Sequence, residues 1–123
     1  MEINFDRLIK SIKEQVQLFL LNSGEFYPFD TSIDETNNIK PIGVYLENDN
    51  PSSSELINVL EKYIQKGIKN GQHIIAIIVI DVTIHQEGRP FDAIEMRIFE
   101  RDKEPLKQYL KYKMHHNFVE FTE

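Results

Sequence analysis

The sequence predicts a single α+β domain in which a five-stranded, mainly antiparallel sheet carries two helices on one face, in the order α-β-β-α-β-β-β. Three observations support this. Every residue from Ile74 to Ile84 is β-branched except Ala76 and Asp81, a density that favours extended backbone and one long central strand. Two stretches, Phe5 to Asn22 and Leu56 to Ile68, repeat apolar residues at three-and-four spacing, as amphipathic helices do. Two stretches after the central run alternate apolar and polar residues, the period of a strand covered on one side. A chain of 123 residues lies in the usual range of one domain and can bury a core unaided.

The first helix places Phe5, Leu8, Ile9, Ile12, Val16, Phe19 and Leu20 on one stripe, with Asp6, Arg7, Lys10, Lys13, Glu14 and Gln17 behind it, and Gly24 ends it. A strand is expected over Glu25 to Ile33, at a sheet edge or bulged near Pro28, because proline cannot donate to a ladder. Asp34 to Asn38 reads as a turn, and Ile39 to Glu47 as the second arm of a hairpin. After the loop Asn48 to Ser54, Ser52 and Glu55 form a capping box that starts the second helix. Its stripe of Leu56, Val59, Leu60, Tyr63, Ile64 and Ile68 stops at Asn70-Gly71. Gly67 inside it costs up to about 1 kcal/mol relative to alanine, so close packing or a kink is expected there. The central strand spans Gln72 to Gln86, and strands over Phe91 to Arg101 and Leu106 to Met114 follow. The segment after Met114, with His115-His116, reads as a flexible tail.

Composition narrows the function classes. There is no cysteine, so disulfides and thiolate metal sites are excluded and a reducing compartment is allowed. With 14 Lys+Arg against 20 Asp+Glu the net charge is -6, which opposes long-range attraction to nucleic acid or anionic lipid. The charged amino terminus does not read as a signal peptide, and the central apolar run is too short for a membrane-spanning helix. The expectation is a soluble cytoplasmic protein with no cofactor and no metal.

The segments GEFYPFDTSID, IAIIVIDVTI and FDAIEMRIFERD resemble a set of small uncharacterised bacterial proteins that share a G-E-F-aromatic-P-F segment and a later D-A-I strand. The likeness extends from Gly24 to Met114. It implies a fold, and since no activity is established for that group it implies no catalytic residue. The order of elements is also similar to that of profilin-like and roadblock-like domains, a likeness of topology that carries no function.

Alternation along the central strand puts Ile74, Ala76, Ile78, Ile80, Val82 and Ile84 on one face, expected under both helices. Ile75, Ile77, Val79, Asp81, Thr83 and His85 share the other, which turns polar halfway. Matching the apolar faces of the next two strands predicts Asp81 opposite Glu95, Val79 opposite Arg97, Glu95 opposite Lys111 and Arg97 opposite Tyr109. One outer face then gathers Val79, Asp81, Thr83, His85, Glu95, Arg97, Phe99, Tyr109, Lys111 and Lys113. Three functions can use it. The favoured one is a non-catalytic interaction domain, an immunity or accessory protein for instance, that binds a protein partner or a second copy through an apolar half bordered by a polar half. The second is a carboxylate-based or metal-dependent hydrolase using Asp81 and Glu95, assisted by His85 or Tyr109. The third is a small-ligand sensor with a pocket between the first helix and the aromatic segment. Phe26, Tyr27 and Phe29 form a candidate aromatic platform, although no Lys or Arg lies in that run to track a phosphate backbone. His73 reads as a strand-end polar residue, and His115-His116 lack further ligands at metal-binding spacing.

Overall fold

The computed structural model describes residues 2–40 and 52–122, with side chains from residue 5 onward. Helix α1 (Glu2–Ser23) is followed by β1 (Phe29–Asp34) and β2 (Ile39–Lys40), helix α2 (Ser53–Lys69), then β3 (His73–Gln86), β4 (Arg89–Glu100), β5 (Leu106–Met114) and β6 (Val119–Thr122). The strands form one antiparallel sheet ordered β2-β1-β3-β4-β5-β6. Among the described residues it has six strands where five were expected. The extra one is β6, in the segment read as a flexible tail. That segment is held by the His115 backbone N–H donating to the Phe118 carbonyl, by the His115 ring stacked on Phe118 at 4.4 Å, and by His115 Nε2 at 2.8 Å from Glu120. The predicted continuation of β2 over 41–47 and the loop residues 48–51 lie outside the described residues.

Local chemistry explains the boundaries. Proline lacks an N–H and disfavours helix in the residue before it, so β1 begins just after Pro28 rather than at Glu25. β1 is an interior strand between β2 and β3, and its irregularity falls between Ile33 and Asp34, not at Pro28. In the turn that follows, Asp34 Oδ1 accepts from the Thr36 hydroxyl and from the backbone N–H groups of Thr36 and Asn38, while Asn37 takes a positive φ of 68°. At the start of α2 the Ser52 hydroxyl accepts from the Glu55 N–H at 3.1 Å. Ser52→Ala is expected to lower stability by about 1 kcal/mol, read as a shift in the urea midpoint at unchanged slope.

The two helices lie on opposite faces of the sheet, which corrects the expectation that both cover one. Leu8, Ile12, Val16 and Leu20 of α1 pack on Ile33, Ile75, Ile77, Val79, Ile94, Met96, Ile98, Leu110, Tyr112 and Val119. Leu60, Ile64 and Ile68 of α2 pack on Ala76, Ile78, Ile80 and Phe99. The physical reason is in β3. Its first half is apolar on both faces, and a strand apolar on both sides is stable only when both are covered. Tyr63, placed in the buried stripe of α2 by its spacing, is instead 52% exposed. The close packing expected at Gly67 is present: it is buried against the His73 ring. The backbone N–H of Val119 donates to Gln17 Oε1 at 2.9 Å, fastening β6 to α1.

Candidate functional site

The β3–β4 turn decides which side chains meet. Glu87 and Gly88 both take positive φ, 52° and 76°, the conformation of a two-residue hairpin turn, and Gln86 pairs with Arg89. That turn is one residue tighter than the predicted register requires. Asp81 therefore lies opposite Ile94, and Glu95 opposite Ile80. A slip of one residue exchanges faces, so Asp81 and Glu95 lie on opposite sides of the sheet and cannot share a proton or a metal ion. Between β4 and β5 the pairs are Glu95 with Tyr109, Ala93 with Lys111 and Arg97 with Lys107. This differs from the predicted pairing by two residues and keeps the same faces together.

The predicted outer face thus divides. Val79, Asp81, Thr83 and His85 belong to the α1 side, where Val79 is core and Thr83 and His85 are exposed. Glu95, Arg97, Phe99, Tyr109 and Lys111 belong to the α2 side, where Phe99 is core beneath the helix. Asp81 is half-buried and accepts from the Tyr112 hydroxyl at 2.7 Å across β4. Burial raises its pKa, helped by the charges of Asp92 and Glu25, against the opposing pull of bonds from Tyr112 and the Phe26 backbone.

On the α2 side, Arg97 joins helix to sheet. Its Nη1 donates to Glu61 at 2.8 Å and its Nε to Glu95 at 2.7 Å, while the Tyr109 hydroxyl donates to the other Glu95 oxygen at 2.8 Å. Burial works to raise the Glu95 pKa, but the bonds from Arg97 and Tyr109 outweigh it and hold the carboxyl below its ordinary value. Beyond these bonds no helix covers this face of the sheet among the described residues. Arg89 and Phe91 of β4, and Lys107, Tyr109, Lys111 and Lys113 of β5, alternate onto the same uncovered face. Lys111 Nζ sits 4.6 Å above the Phe91 ring and also bonds Gln86. Among the described residues, no carboxylate lies within ion-pair distance of Arg89, Lys107, Lys111 or Lys113. The alternation of the three lysines is legible in the sequence.

The aromatic segment forms a second feature at the C-terminal end of α1. Phe19, Phe26 and Phe29 meet in a triangle with ring centroids 5.3 to 6.2 Å apart. With Tyr27 and Pro28 they line a cleft of about 550 Å³ that has Glu25 on its rim. Phe19 was missed at this site because its helical spacing gave it only a core role. Among the described residues no three His, Asp or Glu side chains are arranged to hold a metal ion, and no helix is long and apolar enough to cross a membrane. No protein-family model, curated protein or solved structure matches the chain.

Proposed function

We propose that the protein is a non-catalytic binding domain that docks an acidic protein partner on the uncovered face of β4 and β5. The observation that carries this reading is the grouping of Arg89, Lys107, Lys111 and Lys113 around exposed Phe91 and Tyr109, with no carboxylate within ion-pair distance of the four cations among the described residues, on a chain whose net charge is -6. The rest of the molecule repels an acidic partner while this face attracts it, which fixes orientation at encounter. The two rings supply the rigid contact area that interface centres favour, and the lysines supply a cationic rim. A single-stranded nucleic acid fits less well. Lys111 occupies one face of the Phe91 ring, the Tyr109 hydroxyl is tied to Glu95, and stacking needs free ring faces.

The test is a titration, by fluorescence anisotropy, of a labelled peptide of glutamates interspersed with phenylalanines, alongside a single-stranded oligonucleotide of equal charge. Saturable peptide binding is expected, weakened by salt, by Phe91→Ala, and roughly tenfold or more by Lys107→Glu combined with Lys113→Glu. Unchanged affinity in the charge-reversed protein, or tighter binding of the oligonucleotide, overturns the reading. A dimer that the same reversal disperses would assign the face to a second copy instead.

A further inference from the structure

The cleft at the end of α1 has a chemistry opposite to that of the lysine face. Phe19, Phe26, Tyr27 and Phe29 supply four aromatic rings, Glu25 supplies a carboxylate, and among the described residues no lysine or arginine lines it. Tyr27 is 64% exposed, so its ring is available to an incoming group. Asp81 accepts from the Phe26 backbone N–H, and the charge of Glu25 reaches it. Aromatic faces carry negative potential, and a cation over them is attracted more strongly where water is thinned. Rings and one carboxylate in the lining suit a positively charged group with an apolar surface. The volume, about 550 Å³, is that of an ordinary small-molecule cleft.

We infer that this cleft is a binding site for a small organic cation of the quaternary or alkylated ammonium class, held over Phe26 and Tyr27 with Glu25 as counter-ion. A compact hydrated cation such as a metal ion is not what the rings select, because its hydration shell keeps it from their faces. An inorganic anion is repelled by Glu25 and meets no cation among the described lining residues. A trimethylammonium group has the right character: its charge is spread over methyl surface, it cannot donate the hydrogen bonds that would favour water over aromatic walls, and it gains from every ring that it touches. The same chemistry can arrive on a free metabolite or on a methylated lysine side chain. The free form is preferred here because the cleft takes a compact ligand and the peptide-sized surface lies elsewhere on the molecule.

The experiment is an NMR titration of the full chain with choline, with its neutral carbon isostere in which tert-butyl replaces trimethylammonium, and with a peptide containing one trimethyl-lysine. Choline is expected to give saturable shifts centred on Glu25 to Phe29, the isostere to bind at least roughly tenfold more weakly, and Glu25→Gln and Tyr27→Ala each to weaken choline several-fold. Both substitutions are at exposed positions, so folding is retained and is checked in the same spectra. Tighter binding of the peptide than of choline supports the ammonium chemistry and assigns it to a modified side chain. Equal binding of the isostere, shifts that do not saturate, or indifference to both substitutions overturns the inference. Lys107→Glu with Lys113→Glu is expected to leave choline binding unchanged, which keeps this result separate from that of the lysine face.

Discussion

Arg97→Met is expected to remove about 2–3 kcal/mol of folding stability near neutral pH, less than the roughly 3–5 kcal/mol lost when one partner of a fully buried ion pair is removed. Among the described residues Arg97 is the only cation bonded to Glu95, a carboxylate whose side chain is 10% exposed, and the Arg97 side chain is 24% exposed, which moderates the loss. The variant keeps the volume of the side chain but leaves Glu95 with the Tyr109 hydroxyl and the more distant charge of Lys107, and takes from Glu61 its bond to Arg97. The pH dependence supplies a second check. In the native protein Glu95 titrates below its ordinary value of 4.5, so its contribution is present above that pH and is lost as pH falls through the lower folded value. Without Arg97 its carboxyl loses the strongest of the groups that hold it low, so its pKa rises from the lowered native value and protonation costs the variant less as pH falls. The stability gap measured by urea unfolding should therefore narrow between about pH 7 and about pH 3. An equal gap at both would mean that lost packing, and not lost charge, is responsible.

Gly67→Ala is expected to destabilise by about 2 kcal/mol, although helix propensity alone favours alanine by about 1 kcal/mol. A methyl group at this position would fall on Cδ2 and Nε2 of the His73 ring and within 3.2 Å of its Cγ, so the whole ring must move. The double variant Gly67→Ala with His73→Ala removes the obstacle and should recover the propensity gain, giving a coupling that a double-mutant cycle measures directly. Additivity in that cycle would show that the ring is not what excludes the methyl. Acid sensitivity supplies an independent readout. Burial pushes the His73 pKa below 6.5, against the opposing charge of Asp34, so the neutral ring is the form that fits. Its contribution is full above the unfolded value and declines as pH falls below it. Gly67→Ala, by driving the ring outward, should flatten that decline.

Much of the architecture could be read from residue types. The β-branched run around Ile77, the three-and-four stripe of Leu8, Ile12 and Val16, and the Ser52 cap each have one physical interpretation, and each appears where it was expected. The side of the sheet on which each helix lies had a signal too. Ile75, Ile77 and Val79 on one face of β3 and Ala76, Ile78 and Ile80 on the other require two covers, and placing both helices on one face left half of that surface wet. Register was less accessible, because it depends on whether Glu87 and Gly88 alone make the turn, and one residue of difference sends Asp81 and Glu95 to opposite sides. A pocket between the first helix and the aromatic segment of Phe26, Tyr27 and Phe29 was among the expectations, but the part of Phe19 in the cleft could not be read. Phe19 lies on a helix and Phe26 and Phe29 lie in a later segment, and nothing in their spacing says that the three rings meet.

The bond from the Val119 N–H to Gln17 spans 102 positions of the chain. During synthesis, α1 emerges from the ribosome long before the strand that closes its side, so the groove beside Val16 and Leu20 stays open until translation has nearly passed β6. Pairings this distant are slow to form, because the intervening loop must close before the contact repays it. The nascent chain therefore carries an oily flank until β6 is made, and that interval is when a chaperone has most to grip.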